Sequence, residues 1–218
     1  MLKKKNASAS IFCIALGFVT IIICGILLLY VNDLSWASYI KSEFDSSVNV
    51  ASMSALLVNS NTDNLAEGDA YFSVSSVDES YDVFIETLCA NLDLEYDENN
   101  DLIIPKDASK LSNNISQIQI INYVVFDVYI IDGETYLSPK SRKGYLAVSS
   151  DYSLVADDNG EYITSNSPNY IPVENAPDGI SGVAILVEMT ITTNFFLTKN
   201  VSVSKSLTTG MDTTIINN

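Results

Sequence analysis

The chain contains no histidine. Serine–histidine–aspartate and cysteine–histidine catalysis both need an imidazole to move a proton near neutral pH, so both are excluded, as is any His-based metal site. Cysteine is almost as scarce, with three in 218 residues. Cys13 and Cys24 lie in an apolar run, where a thiol behaves as a small apolar side chain. Only Cys89 lies beyond that run, so the remainder can form no disulfide within itself. An exported domain without disulfides suits a bacterial cell surface better than a small secreted eukaryotic module. There is no Gly-rich phosphate loop and no paired-Cys zinc pattern. Lysines and carboxylates remain, but no spacing singles out an acid–base pair. No catalytic residue, metal or cofactor is expected, and an enzyme is the least favoured reading.

What the chain does have is a run of twenty uncharged residues, Ile11 to Tyr30 (IFCIALGFVTIIICGILLLY). At about 1.5 Å per helical residue the run spans a hydrocarbon core about 30 Å thick. Lys3, Lys4 and Lys5 precede it, and all 27 acidic residues follow it together with the other 8 basic ones, a formal charge of −19. Flanking lysines hold the N-terminus in the cytoplasm and place the acidic portion outside. Ser35-Trp36-Ala37 offers a signal-cleavage alternative, but the apolar run is too long for an ordinary signal core and favours an uncleaved anchor. So acidic a domain is not expected to bind nucleic acid, and anionic lipid would repel it.

The helix is expected to continue past the bilayer. Leu34, Ala37, Ile40, Phe44, Val48, Ala51, Ala55 and Val58 recur at three- or four-residue spacing, with no Pro or Gly among them. Trp36 and Tyr39 sit where amphipathic rings favour the membrane interface. The spacing therefore divides the chain into a basic tail at 1–10, a membrane helix at 11–30, its continuation at 31–58 and an α+β domain at 59–218. Asn59–Asp69 reads as a loop and Tyr71–Val74 as a strand. A second helix follows, capped by Ser76 with Glu79 three residues on, its apolar face made by Tyr81, Phe84, Ile85, Leu88 and Leu92. Cys89, beside that face, reads as a buried thiol.

Strands dominate the remainder. Ile118–Ile131 turns at Asp132-Gly133 into Glu134–Leu137, and Asn159-Gly160 joins Ser153–Ala156 to Tyr162–Thr164. Tyr145–Val148 is a further short strand, and Ser165–Gly182 reads as loop. Val183, Ile185, Val187, Met189 and Ile191 alternate with their neighbours, and Val201, Val203 and Leu207 alternate after a turn near Lys199-Asn200. The pattern predicts an antiparallel sheet with one buried face, covered by the long helix and a second helix.

Two stretches imitate functional motifs. Asp93, Glu95, Asp97, Asn99 and Asp101 alternate as in a calcium loop, but Glu98 stands where the turn needs Gly and Ile104 where a bidentate Glu is needed. We read a solvated loop that ends the second helix. Gly17-Phe18-Val19-Thr20 is similar to a prepilin cleavage boundary, but Ile22 stands where such substrates carry Glu. Gly17 and Gly25 read as small packing residues of a membrane helix.

The basic N-terminus, single span and Ala/Ser-rich helix FDSSVNVASMSALL resemble the TadE/TadG-like proteins of bacterial tight-adherence pilus systems. Asn49 stands where that family usually has Asp, and Ala51, Ala55 and Leu56 match its small and apolar character. VFIETLCANLDL resembles the family's later helix, and VEMTITTNFFLTKNVSVSKSLTTG its closing pair of strands. The resemblance implies a structural minor pilin or pseudopilin-like component whose partners are other pilin-like or pilus-assembly membrane proteins and the lipid bilayer. It points to Gly17 and Gly25 for close helix approach, and to Phe44, Asn49, Ala51 and Ala55 for packing of the extended helix. An anchored extracellular ligand-binding or sensory domain, working through a membrane partner, is the alternative.

Overall fold

The computed structural model describes residues 2–61, 71–107, 109–131, 134–143, 145–149, 152–156, 162–164, 171–172, 182–195 and 199–211. The fold is α+β. It begins with one uninterrupted helix, α1 (Leu2–Asn59), of 58 residues and about 87 Å. No Pro interrupts it, and Gly17 and Gly25 are its only glycines. Its two halves have different environments. From Ile11 to Leu34 the large apolar side chains are exposed all round, whereas further on one face is buried.

That buried face is Ile40, Phe44, Val48, Ala51, Ala55 and Leu56, with Ser47 and Ser52 beside them. The expected stripe is thus right in its middle and wrong at its ends. Leu34 is 59% exposed and Val58 68% exposed. Leu34 lies below the point where the domain meets the helix, and at the other end Leu56 rather than Val58 completes the face.

Helix α2 (Val77–Leu92) begins as expected. Ser76 has extended backbone and its hydroxyl accepts the Glu79 N–H at 3.2 Å, while Asp78 and Glu79 favour the positive helix end. Tyr81, Phe84, Ile85, Leu88 and Leu92 are all buried. Asp93 ends the helix in the left-handed conformation, φ 55°, and donates its N–H to the Cys89 carbonyl. The next segment is a correction. Instead of a loop, β3 (Leu94–Asp97) and β4 (Leu102–Pro105) pair as an antiparallel hairpin. Leu94 and Ile103 are buried, so burial on one face outweighs the loop-like acidic composition.

The main sheet is built on β5 (Ile115–Ile131), which pairs on one side with β4 and β6 (Glu134–Lys143) and on the other with β11 (Val183–Asn194) and β2 (Tyr71–Val74). β1 (Ser60–Asn61) extends β2, and β12 (Lys199–Met211) pairs with β11 and forms one edge. A three-stranded sheet of β7 (Tyr145–Ser149), β8 (Tyr152–Ala156) and β9 (Tyr162–Thr164) approaches β6. β10 (Ile171–Pro172) pairs with β6, inside a stretch expected to be loop. Residues 132–133 and 159–160 of the expected turns, and most of Asn59–Asp69, lie outside the described residues.

α1 and α2 pack together and lie on one face of this sheet. Tyr123 meets Tyr81 and Phe84 of α2, with ring centroids 5.1 and 5.3 Å apart, and shares a hydrogen bond with Ser80 at 2.8 Å. Two of the sheet's bulges turn side chains out of the layer. Ile121 is passed over in the β5–β11 register and is turned out to solvent; Arg142 is passed over in the β5–β6 register and reaches Asp78 on α2 at 2.6 Å. The central strands are buried on both faces, not one. Val124 and Phe126 are as buried as Tyr123 and Val125, and Ala184 and Leu186 as Val183 and Ile185. Near-continuous apolar runs of this kind mark strands covered on both sides.

The packing predicts opposite outcomes for two members of the sequence stripe. Phe44→Ala should destabilise the outer domain by about 3–5 kcal/mol, since it empties a fully buried ring site. Leu34→Ala should change stability by less than about 0.5 kcal/mol. Denaturant unfolding of both variants in detergent micelles checks the pair.

Candidate assembly and membrane interface

The candidate site is the helix α1 itself, because its exposed apolar half and its packed half are one element. The residues expected to matter fall into two groups. Gly17 and Gly25 lie in the exposed half, eight residues and about 12 Å apart along the axis. A Cβ at either position would meet nothing within 4 Å, so both present open backbone to whatever surrounds the helix. Phe44, Ala51 and Ala55 lie in the packed half and are fully buried. Asn49 is exposed there, and its Oδ1 accepts a hydrogen bond from the Thr209 hydroxyl at 2.7 Å. The structure therefore places the two glycines on the open span and the other four where α1 meets the domain.

Thr209 belongs to the edge strand β12, so Asn49 ties the helix to a residue 160 positions away. A second tie lies one turn nearer the N-terminus of α1, where Lys205 of β12 forms an ion pair with Asp45 and stands 5.9 Å from the Phe44 ring centre. Burial, and then the charge of Lys41 nearby, push the Lys205 ammonium below the usual lysine range. These contacts were missed from the sequence. The available signal was the gap in the β12 alternation. Val201, Val203, Leu207 and Thr209 share one register with position 205, and a lysine stands there, facing the helix rather than solvent. An inward-pointing lysine is also one way that a sheet edge is kept from pairing with another strand.

Where the sheet's turns approach α1, clefts flank the helix, two of which matter here. One, of about 360 Å³, lies between α1 and the β11–β12 hairpin and is lined chiefly by Ile40, Phe44, Ile191, Phe195 and Val203. The other, of about 450 Å³, is lined by Asn32, Ser35, Trp36, Tyr39 and Lys110. Trp36 and Tyr39 stack edge to face, with centroids 5.7 Å apart and planes at 87°. The turn carrying Lys110 is tied to β11 through the Asn194 N–H, which donates to the Asn114 carbonyl at 2.7 Å.

The acidic residues that imitate a calcium loop have other work. Asp93 caps α2, Asp97 accepts the Asn99 N–H at 3.0 Å in its own turn, and Asp101 takes the Tyr96 hydroxyl at 2.7 Å and an ion pair with Lys143. The Asn100 side-chain amide holds the Asp97 carboxyl below the usual range. Among the described residues no cluster of His, Cys, Asp or Glu side chains could hold a metal ion. Cys89 is half-buried against the core, and burial pushes its thiol up to about 11. It is therefore a protonated, weakly nucleophilic thiol at neutral pH.

Among the described residues, one buried carboxyl group stands in the sheet. Asp127 on β5 accepts the Val74 N–H at 2.8 Å and pairs with Lys140 at 2.6 Å, joining β2 and β6 to the central strand. Burial pushes its carboxyl above the usual range, outweighing the pull of Lys140. No protein-family model matches the chain, and comparison with curated proteins and with solved structures finds no match either.

Asp127 yields a prediction with a defined sign. Its folded pKa is raised, so the folded chain holds this proton more tightly than the unfolded chain. That contribution to stability is present below the ordinary aspartate range and is lost as pH rises through the raised value. Asp127→Asn keeps an acceptor for the Val74 N–H and should remove this component from the stability–pH curve. Asp127→Ala should cost about 1–3 kcal/mol, because the buried N–H loses its partner. Thermal melts across acidic to neutral pH check both.

Proposed function

We propose that the chain is a membrane-anchored structural component of a bacterial surface pilus or secretion apparatus, a TadE/TadG-like minor pilin or pseudopilin that acts by protein–protein assembly. The observation that carries this reading is the continuity of α1. A single helix leaves a folded domain with a long apolar half exposed on every side, and it is long and apolar enough to cross a membrane. A simple tether needs no such rigidity between span and domain. A subunit that must be held at a set height and rotation among neighbouring helices does.

In this reading the three N-terminal lysines lie in the cytoplasm and the acidic domain outside. Gly17 and Gly25 let neighbouring helices approach closely, since without a water-driven hydrophobic force helices in lipid associate through backbone proximity and packing. The family assignment rests on the motifs of the first sixty residues and on the closing strands. The structural role rests on the helix.

The test replaces residues 11–30 with an unrelated apolar span of equal length, and compares cross-linked species in the native membrane. The proposal expects the specific cross-linked partners to disappear while the melting temperature of the outer domain stays unchanged. Undiminished cross-linking would make the helix only an anchor, and would return weight to an anchored ligand-binding or sensory domain.

A further inference from the structure

The acidic domain as a whole is unsuited to an anionic membrane surface, yet the part of it nearest the apolar run has a different character. Trp36 lies six residues beyond Tyr30, about 9 Å further along α1. The headgroup layer on each face of a bilayer is about 5–8 Å deep, by difference between the full and hydrocarbon thicknesses. The cleft of Asn32, Ser35, Trp36, Tyr39 and Lys110 therefore opens at headgroup level once α1 spans the membrane. Its contents are two aromatic rings, an amide, a hydroxyl and an ammonium. Lys110 comes from the loop between β4 and β5, more than seventy residues away, and the fold brings it to the helix.

The residues lining this cleft include one lysine and no carboxylate. Lys41 lies on the other side of α1, and helical side chains tilt toward the helix N-terminus, which here is the bilayer side. A long lysine stem can lower its ammonium further in that direction. Of the nearby carboxylates, Asp45 is held by Lys205, and Asp93 lies 3.7 Å from Lys106. Glu43 and Asp93 line an adjoining cleft that shares Tyr39 and Lys110 with this one, so Lys110 stands between the lipid-facing cleft and these two carboxylates. Asp33 shares the helix face of Ala37 and Ile40, which looks to the β11–β12 hairpin.

We propose that this cleft is a seat for the headgroup of an anionic phospholipid, with Lys110 meeting the phosphate and Trp36 and Tyr39 flanking the glycerol region. The seat would set the height of the domain on the membrane while the rest of its acidic surface is held away from the lipid. It rests on α1 spanning the bilayer, and not on any pilus role.

Trp36 is the chain's single tryptophan and lines the cleft, so it reports directly. The full-length protein is reconstituted in phosphatidylcholine vesicles, and Trp36 fluorescence is titrated with brominated phosphatidylglycerol or brominated phosphatidylcholine. About 1 kcal/mol per surface lysine corresponds to about fivefold local enrichment of the anionic lipid. Half-quenching should need about fivefold less brominated phosphatidylglycerol than phosphatidylcholine, and Lys110→Gln should remove that advantage, with Lys110→Arg keeping it. Raised salt should weaken it. Equal quenching by the two lipids, or a preference untouched by Lys110→Gln, overturns the proposal. Quenching by neither lipid overturns it too. If the protein still floats with the vesicles, the span survives and something other than lipid fills the cleft; if it does not float, the membrane reading fails as well.

Discussion

Everything in this molecule depends on one helix whose two halves suit two different environments. A helix closes its backbone hydrogen bonds internally, so it can leave a protein core and enter hydrocarbon without exposing an unpaired peptide group. What changes along α1 is only the side-chain pattern. The lower half is apolar all round, as a lipid-facing helix must be. The upper half is apolar on one face, as a helix on a sheet must be. The change takes place between Leu34, exposed, and Ile40, buried. No glycine, proline or loop marks it.

Burial of Ile40, Phe44, Val48, Ala51, Ala55 and Leu56 seats the helix on the domain. Polar ties add to that seat. Asp45 with Lys205, and Asn49 with Thr209, are four residues apart on both elements, about 6 Å along α1 and about 13 Å along β12, so together they tie the helix to the edge strand at two points. On the other side, Arg142 reaches α2 from a bulge, and the Tyr123 hydroxyl meets Ser80. The edge strand thereby becomes part of the helix's seat. A rotation imposed on the apolar half of α1 would be felt directly by β12.

Much of the fold was legible in the sequence. The middle of the α1 stripe, the Ser76 cap and α2 face, and the inner-face alternation of β11 are local patterns of period 3.6 or 2, and they emerged where the residues placed them. What was not legible needed partners distant in the chain. The β3–β4 hairpin looked like an acidic loop because only its inward residues, Leu94 and Ile103, are apolar, and their burial depends on the sheet. The double burial of β5 and β11 was hidden because the alternation in the last two strands points to one buried face for the sheet, although Tyr123–Val128 is apolar nearly throughout. Of the candidate site, the helix and its small residues could be seen. Its polar ties and the Lys110 cleft could not, since they join positions more than seventy residues apart. Only the misplaced lysine at 205 hinted at one of them.

The central claim is that span and domain are parts of one unbroken helix. The direct measurement is a spin–spin distance in lipid nanodiscs between labels at Phe18→Cys and Val50→Cys, both exposed positions, with Cys13, Cys24 and Cys89 replaced by alanine. Thirty-two residues of continuous helix predict a single narrow distribution centred at about 48 Å. A broad distribution, or a centre well short of that length, would mean that the helix breaks between membrane and domain, and would contradict the account.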